Sequence, residues 1–494
     1  MEEGFKQLFV GGDLSGIQKF LYNISSKAAA VSLKGRSCYL QEYMDCVCQD
    51  LCSAIKTAGA SNVKVRYCSG GKFYITTENT TQIISAIEEY SSSVQKSLWE
   101  KHMGKLGLSL ATVPYNEHED GKVDTLSGEY QDPNQLWALA NKEFSLKKGQ
   151  KFKSLILSDY PSFFSPIHVG GNPKVCAVTG IESPDCVPFD IEGSDGLENE
   201  HVYILPSVKE QIILGRQKRS SEGFKTFKEY ADRAYLGVLR MDIDGLGTRL
   251  SAGFKSIDDY EVFSRRIDNF IKEDIKAIQQ RNDFKEFLNI IYAGGDDLFV
   301  VGRWDKCIDF AECIHEEVDR HFSSEGLTMS GGIAIVKPKF PIAKAAEIAG
   351  EAESLAKQFC GGEKNAFHFL GKTVSWNEEF KKVKDYRNEF FHLIHNKGMS
   401  SSLLHKIMLY ASISDNNRQE ERRGAPQDYR YIWHMTYYLT RFINRYNKEK
   451  DKEIQDFCKR LRDKEVTNDR NLELLSVAAR WAELLIKFDI TIEV

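Results

Sequence analysis

The sequence has 494 residues, 42% of them hydrophobic and 28% charged, which is the composition of a globular protein too long for one ordinary core. Its 66 basic and 71 acidic residues give a net charge of -5, which excludes a chain that binds nucleic acid or a membrane through its overall charge. No stretch reaches the roughly 18 uninterrupted apolar residues of a membrane-spanning helix, so we expect a cytoplasmic protein without a membrane partner.

The first predicted elements are a strand, a helix and a hairpin. An apolar strand from Leu8 to Gly12 runs into the sequence DLSGI, and the residues from Ser37 to Ala58 have the pattern of a helix. Two short β-rich runs, Val63 to Cys68 and Phe73 to Thr76, then flank the sequence SGGK. Because glycine supplies the positive φ angles of tight turns, SGGK predicts the tip of a hairpin.

The middle of the chain has a different composition. Residues from about 160 to 230 are rich in Pro, Gly and polar side chains, as in SPIHVGGNPK, which indicates a linker or a small inserted domain. Near its end, Lys218, Arg219, Lys225 and Lys228 form a modest basic cluster. Such a cluster is usually a solvated surface, and contact with RNA or another subunit is the alternative.

The strand, helix and hairpin pattern then returns. Tyr235 to Met241 predicts a strand that runs into DIDG, and Asp258 with Glu261 three residues later predicts a capping box at the start of a helix. The sequence YAGGDDLFVV, from Tyr292 to Val301, reads as two short strands joined by Gly-Gly-Asp-Asp. A further helix and a strand from Leu327 to Val336 complete the order βαββαβ.

This order is the ferredoxin-like split unit, which is also the core of polymerase palms and nucleotide cyclases. The N-terminal part repeats it, and the sequence aligns Gly70-Gly71 with Gly294-Gly295, so that only the second copy keeps carboxylates at its hairpin. We therefore predict an α+β protein with two ferredoxin-like palm domains, a small intervening domain and a helical C-terminal domain. The predicted bounds are residues 1–160, 161–230, 231–384 and 385–494.

Three aspartates of the second copy are the candidate catalytic and metal-binding residues. In a βαββαβ sheet the first strand lies beside the hairpin, so Asp242 should meet Asp296 and Asp297. Close carboxylates raise one another's pKa unless a cation neutralises them, and hard oxygen ligands suit Mg²⁺ or Mn²⁺. Two such ions would activate a hydroxyl and neutralise a leaving pyrophosphate, and we expect Ile243 to belong to the same metal site.

The same segments offer groups for a triphosphate. Gly245 and Gly247 let the backbone approach a ligand closely, so the N–H groups from Ile243 to Leu246 can cradle phosphate oxygens. The expected ATP-binding residues of the second copy are Gly245, Leu246, Gly294, Gly295 and Lys357. For Lys357, which ends a predicted helix, an ordinary exposed lysine is the alternative interpretation.

Taken together, these motifs resemble a known family. GGDLSGIQKFLY and LKGRSCYLQ in the first copy, with LRMDIDGLG, YAGGDDLFVVG and the SGGIA segment in the second, are similar to motifs of the large polymerase-like subunit of type III CRISPR-Cas effector complexes, of the Csm or Cmr type. They extend from residue 8 to about residue 370, and the tail fits the family's helical C-terminal domain. The GGDEF diguanylate cyclases are more distant, since they match the second copy alone.

The resemblance implies an ATP-dependent nucleotidyltransferase of antiviral defence. In the family the second palm holds ATP and metal at the residues that match the three aspartates, and a second ATP lies against the first palm. The residues matching this second site are Asp13, Ser15, Gly16, Gly70 and Gly71. The 3′-hydroxyl of one ATP attacks the α-phosphate of the other, and repeated transfer gives cyclic oligoadenylate when the guide RNA pairs with a target RNA. The implied partners are the backbone, small helical and guide-end-capping subunits, with guide and target RNA reached through the complex.

Two features depart from many members of the family. The first palm strand starts by residue 8 and none of the 11 histidines is followed by Asp, so we do not expect an HD-type nuclease domain or its cleavage of DNA. Where many members carry four zinc-binding cysteines, this chain has Cys176 and Cys186, with Thr179 in the place of another. His168 and His201 could complete such a site, but we expect ordinary loop histidines and no structural zinc.

Two other functions stay open. The same site can transfer AMP from ATP to another small-molecule acceptor and form a mixed AMP conjugate, because nothing in the sequence fixes the acceptor. The chain can also be an inactive scaffold subunit of the RNA-guided complex, although the three intact aspartates argue against that.

Overall fold

The computed structural model describes residues 4–25, 27–158, 160–164, 173–192, 199–232, 234–251, 254–424, 426, 428–446, 448 and 451–491. The chain divides into two compact units, one of residues 1–329 and 334–350 and the other of residues 330–333 and 351–494. Among the described helices, none combines the length and the apolar character that crossing a lipid bilayer requires.

The first unit opens with a six-stranded sheet. Its strands are β1 (Gln7–Ser15), β2 (Lys64–Ser69), β3 (Lys72–Glu78), β4 (Gly107–Glu117), β5 (Val123–Thr125) and β6 (Gly128–Gln131). They lie in the order β2-β3-β1-β4-β5-β6. The helices of this region are α1 (Ile17–Tyr22), α2 (Ala29–Thr57), α3 (Thr81–His102), α4 (Asn134–Lys148), α5 (Lys153–Ser158) and α6 (Tyr160–Phe164).

Strand β1 is apolar along most of its length because both of its faces are covered. Leu8 and Val10 belong to a core shared with buried side chains of α2 and α3. On the other face, the ring of Phe9 lies 4.9 Å from that of Trp137 in α4. Burial on both faces explains why β1 reads as a continuous apolar run and not as an alternating one.

A smaller region follows. Its elements are β7 (Lys174–Val175), β8 (Glu182–Ser183), β9 (Val187–Glu192), β10 (Asn199–Ile204), α7 (Pro206–Glu222) and α8 (Phe227–Ala231). Helix α7 packs closely against α2, since a Cβ atom on Gly215 would lie only 2.0 Å from the carbonyl oxygen of Val31. Glycine at this position is therefore what lets the two helix backbones approach.

Cys176, Cys186 and His201, three of the candidate zinc ligands, lie in this smaller region. Cys176 and Cys186 are buried in an apolar core. His201 lies on the exposed strand β10 and its Nδ1 is 2.8 Å from a carboxylate oxygen of Asp190. His168 lies outside the described residues.

The βαββαβ order then appears a second time. Its strands are β11 (Leu236–Asp244), β12 (Leu288–Gly294), β13 (Asp297–Arg303) and β14 (Thr328–Val336). They lie in the order β12-β13-β11-β14, which matches the order β2-β3-β1-β4 of the first sheet. The helices are α9 (Leu246–Ser251), α10 (Ile257–Asn269), α11 (Ile275–Gln279), α12 (Asn282–Lys285), α13 (Trp304–Phe322) and α14 (Ile342–Lys357), with a π-helical turn at Phe270–Asp274 and a 3-10 turn at Ser323–Glu325. We call residues 7–117 the first repeat and residues 236–336 the second repeat.

The two repeats match in local detail. In the first repeat the pairing of β2 with β3 shifts register between Val65 and Tyr67, and in the second the pairing of β12 with β13 shifts between Ile290 and Tyr292. An irregularity that recurs at the same distance from the hairpin supports duplication of one ancestral unit.

The end of the first strand is also the same in both repeats. The N–H of Leu14 donates to the carbonyl of Gly71 at 2.8 Å, and the N–H of Ile243 donates to the carbonyl of Asp296 at 3.2 Å. Each bond ties the end of the first strand to the hairpin turn beside it.

This register corrects the alignment of the two hairpins. Lys72 pairs with Asp13 across β3 and β1, whereas Asp297 pairs with Asp242 across β13 and β11. Lys72 therefore stands in the place of Asp297, and the alignment of the two Gly-Gly pairs is wrong by one residue. Strand pairing fixes the register, while the positions of glycine within a turn can differ.

The start of α10 also differs from the sequence prediction. The side chain of Ser256 accepts the N–H of Asp259 at 3.1 Å, so Ser256 is the N-cap and the helix begins at Ile257. The predicted capping box of Asp258 and Glu261 is wrong. Glu261 is buried and pairs instead with Arg66 of β2 at 3.1 Å, which joins the helix of the second repeat to the first sheet.

The second unit is mostly helical. The middle of β14 pairs in parallel with β15 (Ala366–Phe369), which pairs antiparallel with β16 (Lys372–Ser375). The helices are α15 (Lys381–His395), α16 (Ser402–Arg422), α17 (Arg430–Ile443), α18 (Lys452–Arg460) and α19 (Asp469–Lys487), with π-helical turns at Trp376–Phe380 and Leu461–Glu465 and a 3-10 turn at Phe359–Gly361. The helical character predicted for the C-terminal part is present.

Candidate metal centre and nucleotide pocket

Three carboxylates meet at one end of the second sheet. Asp242 lies on β11 directly across from Asp297, the first residue of β13. Asp296 occupies the two-residue turn between β12 and β13. One carboxylate oxygen from each of these residues lies within 4.8 Å of the others. The sheet thus brings together the three aspartates expected from the sequence, and their roles stay predictions.

These carboxylates are partly shielded from solvent. Asp242 and Asp297 are half-buried and Asp296 is exposed. Burial raises the pKa of Tyr292 well above its ordinary range, and the charges of Asp297 and Asp296 raise it further. A phenol that stays protonated beside carboxylates can donate a hydrogen bond but adds no negative charge.

The donor set fits a hard divalent cation. Three carboxylate oxygens are available on one side, and the exposed position of Asp296 leaves room for water or phosphate oxygens to complete the coordination. Magnesium and manganese accept such oxygen ligands, whereas zinc prefers nitrogen and sulfur.

The loop after Asp242 has a conformation that favours close approach. Gly245 has φ +77°, and a Cβ added there would meet its nearest atoms at 3.8 Å. Helix α9 begins at Leu246, directly after this glycine. The N–H of Ile243 already donates to the hairpin, and its side chain is buried, so a role in metal binding would fall to its backbone carbonyl.

The tips of the two hairpins touch. A Cβ atom on Gly70 would lie 2.6 Å from the Cα of Gly295, and one on Gly294 would lie 3.6 Å from the Cα of Gly70. These glycines therefore allow a contact between backbones that side chains would prevent. Close by, the side chain of Gln18 in α1 donates to Asp297 at 3.4 Å, so the first repeat reaches the carboxylates of the second.

The remaining first-repeat residues have structural contacts of their own. Asp13 is 6% exposed, with its carboxylate 2.7 Å from the ammonium of Lys148 and 4.0 Å from that of Lys72. The hydroxyl of Ser15 donates to the carbonyl of Gly107 at 2.9 Å. A Cβ on Gly16 would lie 2.1 Å from a backbone carbonyl oxygen, so no other residue fits there. The structure does not bring Asp13 or Ser15 into the carboxylate group.

A pocket of about 210 Å³ opens beside the touching hairpins. Its lining includes the predicted residues Gly70, Gly71 and Gly294. The lining residues that the sequence did not single out are Leu14, Ile17, Leu40, Gln41, Met44, Asp45, Cys68, Ser69, Lys272 and Tyr292. Apolar walls with a few polar groups are typical of pockets that bind small molecules. The motif LKGRSCYLQ, which ends at Gln41, carried a signal for part of this wall.

Lys357 lies in the second unit. Its ammonium is 2.7 Å from a carboxylate oxygen of Glu353, one helical turn earlier on α14. Its predicted contact with a phosphate stays a prediction.

Two family models match the chain. The Cas10/Cmr2 second palm domain matches residues 235–368, and the Csm1 subunit domain B matches residues 6–166. The two matched segments contain both repeats.

Curated relatives match a larger part of the chain. A protein of Enterococcus italicus is 29% identical over 434 residues, which are 75% of this chain and 54% of the relative. One of Mycobacterium tuberculosis is 23% identical over 515 residues, which are 87% of this chain and 61% of the relative. Both are called CRISPR system single-strand-specific deoxyribonuclease Cas10/Csm1 of subtype III-A. The chain thus spans between half and two thirds of the length of these relatives.

Solved structures are similar in fold. A Csm1-Csm4 cassette in complex with cA4 matches with a TM-score of 0.66 at 18% identity, covering 97% of this chain and 70% of the other. The cassette in complex with one ATP matches with a TM-score of 0.63 at 20% identity, covering 96% and 70%. At these identities the likeness establishes the fold alone. The predicted resemblance and the palm fold are confirmed, and the four domain bounds stay a prediction.

Proposed function

The chain belongs to the Cas10/Csm1 family, and from this we propose that it is the large subunit of a type III-A CRISPR effector that makes cyclic oligoadenylate from ATP in antiviral defence. Synthesis is switched on when the guide RNA of the complex pairs with a target RNA. The observation that carries the proposal is the meeting of Asp242, Asp296 and Asp297 beside the tip of the other hairpin.

The arrangement of the two repeats suits a reaction between two nucleotides. Through bound divalent ions, the carboxylates of the second repeat would hold the triphosphate whose α-phosphate is attacked. The pocket lined by Gly70 and Gly71 holds the nucleotide whose 3′-hydroxyl attacks. Because the hairpin tips touch, the two reactants are held against each other, which removes much of the entropic cost of their encounter.

The three carboxylates require a cation for this chemistry. Asp242, Asp296 and Asp297 would hold Mg²⁺ or Mn²⁺, with the carbonyl of Ile243 in reach of the same ions. When bound, two such ions lower the pKa of the attacking hydroxyl and neutralise the leaving pyrophosphate. In this proposal the backbone N–H groups around Gly245 and Leu246 donate to phosphate oxygens.

The partners follow from the same family membership. The similar solved structures are complexes of Csm1 with Csm4, one of them from the type III-A interference complex. We propose that this chain assembles with a Csm4-like subunit, with backbone and small helical subunits, and through them with guide and target RNA. We do not extend the deoxyribonuclease activity named in the relatives to this chain, because none of its 11 histidines is followed by Asp.

The test is to assemble the effector with guide and matching target RNA, add labelled ATP with Mg²⁺ or Mn²⁺, and identify the products by mass. We expect rings of AMP, and we expect Asp296→Ala with Asp297→Ala to abolish them while RNA binding is unchanged. A product that joins AMP to another molecule would instead support transfer to a different acceptor.

The matched control is Asp259→Ala, which removes an exposed carboxylate of the same repeat outside the group of three and should leave synthesis unchanged. Unchanged synthesis by the Asp296 and Asp297 double variant would reject the site. No synthesis by any preparation of the folded, RNA-bound complex would support the scaffold function.

A further inference from the structure

A basic groove lies along strand β12, beside the nucleotide pocket. Its volume is about 280 Å³, and it is bounded by α2, α7, the helices α11 and α12, and β12. We call it the lysine groove, because five lysines line it against two glutamates. The lysines are Lys34, Lys218, Lys272, Lys276 and Lys285, and the glutamates are Glu222 and Glu273.

Two of these lysines have acidic partners. The ammonium of Lys34 is 2.9 Å from a carboxylate oxygen of Glu222, and that of Lys272 is 2.8 Å from Asp268. Within the described ranges, none of Lys218, Lys276 and Lys285 has a carboxylate oxygen within 4.0 Å of its ammonium. The groove therefore has an excess of positive charge that a polyanion would neutralise.

A buried amide points to the same conclusion. Asn289 of β12 lines the groove and is only 4% exposed. Its side-chain Nδ2 is buried and has no hydrogen-bond acceptor among the described residues. An unpaired buried donor costs about 1 to 3 kcal/mol, so an acceptor supplied by a ligand would stabilise this position.

The groove adjoins the nucleotide pocket and shares part of its lining. Gln41 and Lys272 line both. Ala293, which lines the groove, directly precedes Gly294, which lines the pocket. A chain of nucleotides whose 3′ end lies at the hairpins can therefore extend into the groove.

We propose that the lysine groove binds the 5′-triphosphate of a linear adenylate chain while that chain is being extended, an inference that rests on the proposed function. In each extension the chain's 3′-hydroxyl forms a bond to the α-phosphate of a new ATP, and pyrophosphate leaves. The 5′-triphosphate of the first nucleotide takes no part until the ring closes. Lysine ammonium groups and an amide donor are the groups that bind such a polyphosphate.

The side chains that line the groove favour a triphosphate over an RNA strand. Its two aromatic side chains, Phe224 and Tyr230, are buried and so offer no exposed ring on which a base could stack. Proteins that bind single strands without sequence preference usually combine a basic track with exposed aromatic rings. A compact pocket lined by lysines is better suited to the 5′ end of a nucleotide chain than to a long stretch of RNA backbone.

The binding test needs no turnover. The full chain is titrated with diadenylate carrying a 5′-triphosphate, and in parallel with diadenylate lacking 5′-phosphates, in EDTA. We expect Lys218→Gln, Lys276→Gln and Lys285→Gln together to weaken binding of the triphosphate form by about tenfold or more. Binding of the form without phosphates should not change. The control changes three exposed lysines of the first repeat that do not line the groove, Lys56→Gln, Lys96→Gln and Lys101→Gln, and should bind both diadenylates as the wild type does.

Equal affinity of the wild-type chain for the two diadenylates would overturn the proposal. So would an equal loss, in the triple variant, of affinity for RNA that lacks a 5′-triphosphate, because the groove would then bind the RNA backbone. Asn289→Leu offers a second variant, expected to weaken the triphosphate form alone. If the effector makes no rings but the triphosphate still binds in the groove, the proposed function fails while the groove remains a polyphosphate site.

Discussion

The two repeats share a backbone and differ at one cross-strand pair. In the first, Asp13 faces Lys72, and Lys148 of α4 completes its neutralisation at 2.7 Å. In the second, Asp242 faces another carboxylate, Asp297. The first repeat thus supplies positive charges from its own lysines, whereas the second has a group of carboxylates that a metal ion could neutralise.

The difference explains how a duplicated fold can divide one task. A buried carboxylate needs a positive partner, and either a lysine or a metal ion can supply it. With lysines in place, Asp13 of the first repeat does not require a metal ion. Under the proposed function the hairpin of the first repeat would contact a nucleotide, while the carboxylates of the second repeat would bind the metal ions of the reaction.

The largest expected effect comes from replacing Asp242, and it is compared with replacement of Asp13 at the equivalent position of the first repeat. Asp242→Asn should lower AMP transfer by the target-activated complex on the order of a thousandfold, because it removes charge from the metal centre. Asp13→Asn should lower transfer by about tenfold at most, because Asp13 lies outside the group of three carboxylates and its loss would act only through binding of the second ATP. Both are measured as the initial rate of label incorporation from ATP, with thermal unfolding of each variant as the control. Equal losses in two folded variants would break the comparison.

Much of the difference between the two repeats could be predicted from the sequence. The order of elements and the meeting of Asp242 with Asp296 and Asp297 follow from apolar runs, glycine turns and the geometry of a βαββαβ sheet. These are local signals, and local signals can be recognised in a single sequence without aligned homologues. The family motifs fixed the palm fold for the same reason.

Other features depend on contacts between distant segments. The partner of Asp13 is Lys148, on a helix far along the chain, and nothing in the pattern of α4 indicates that contact. The touch of Gly70 on Gly295 depends on how the two sheets pack. The matching glycines predict the wrong register for the hairpins, because the register depends on the strand pairing that sets Lys72 opposite Asp13.

The next largest expected effect comes from disturbing the contact between the two hairpin tips. Gly70 has φ +59°, and a Cβ there would lie 2.6 Å from the Cα of Gly295. Gly70→Ala should therefore displace the hairpin tips and lower AMP transfer by about tenfold to a hundredfold. The matched control is Gly59→Ala, at φ +100° with no atom within 4 Å, which has the left-handed strain of about 1 kcal/mol without the contact. Similar rates for the two variants would mean that the tips do not position the reactants.

The smallest expected effect concerns Lys148, whose ammonium neutralises Asp13 in place of a metal ion. Lys148→Met should lower the free energy of unfolding by about 1 to 2 kcal/mol, because Asp13 keeps only the more distant Lys72 while the partly exposed Lys148 site softens the loss. Lys142→Met, at an exposed position of the same helix, should change it by less than about 0.5 kcal/mol. Denaturant unfolding with and without Mg²⁺ or Mn²⁺ measures both. If the ions restored the stability of Lys148→Met, the first repeat would still hold a metal site, and the contrast between a lysine-neutralised copy and a metal-dependent copy would be lost.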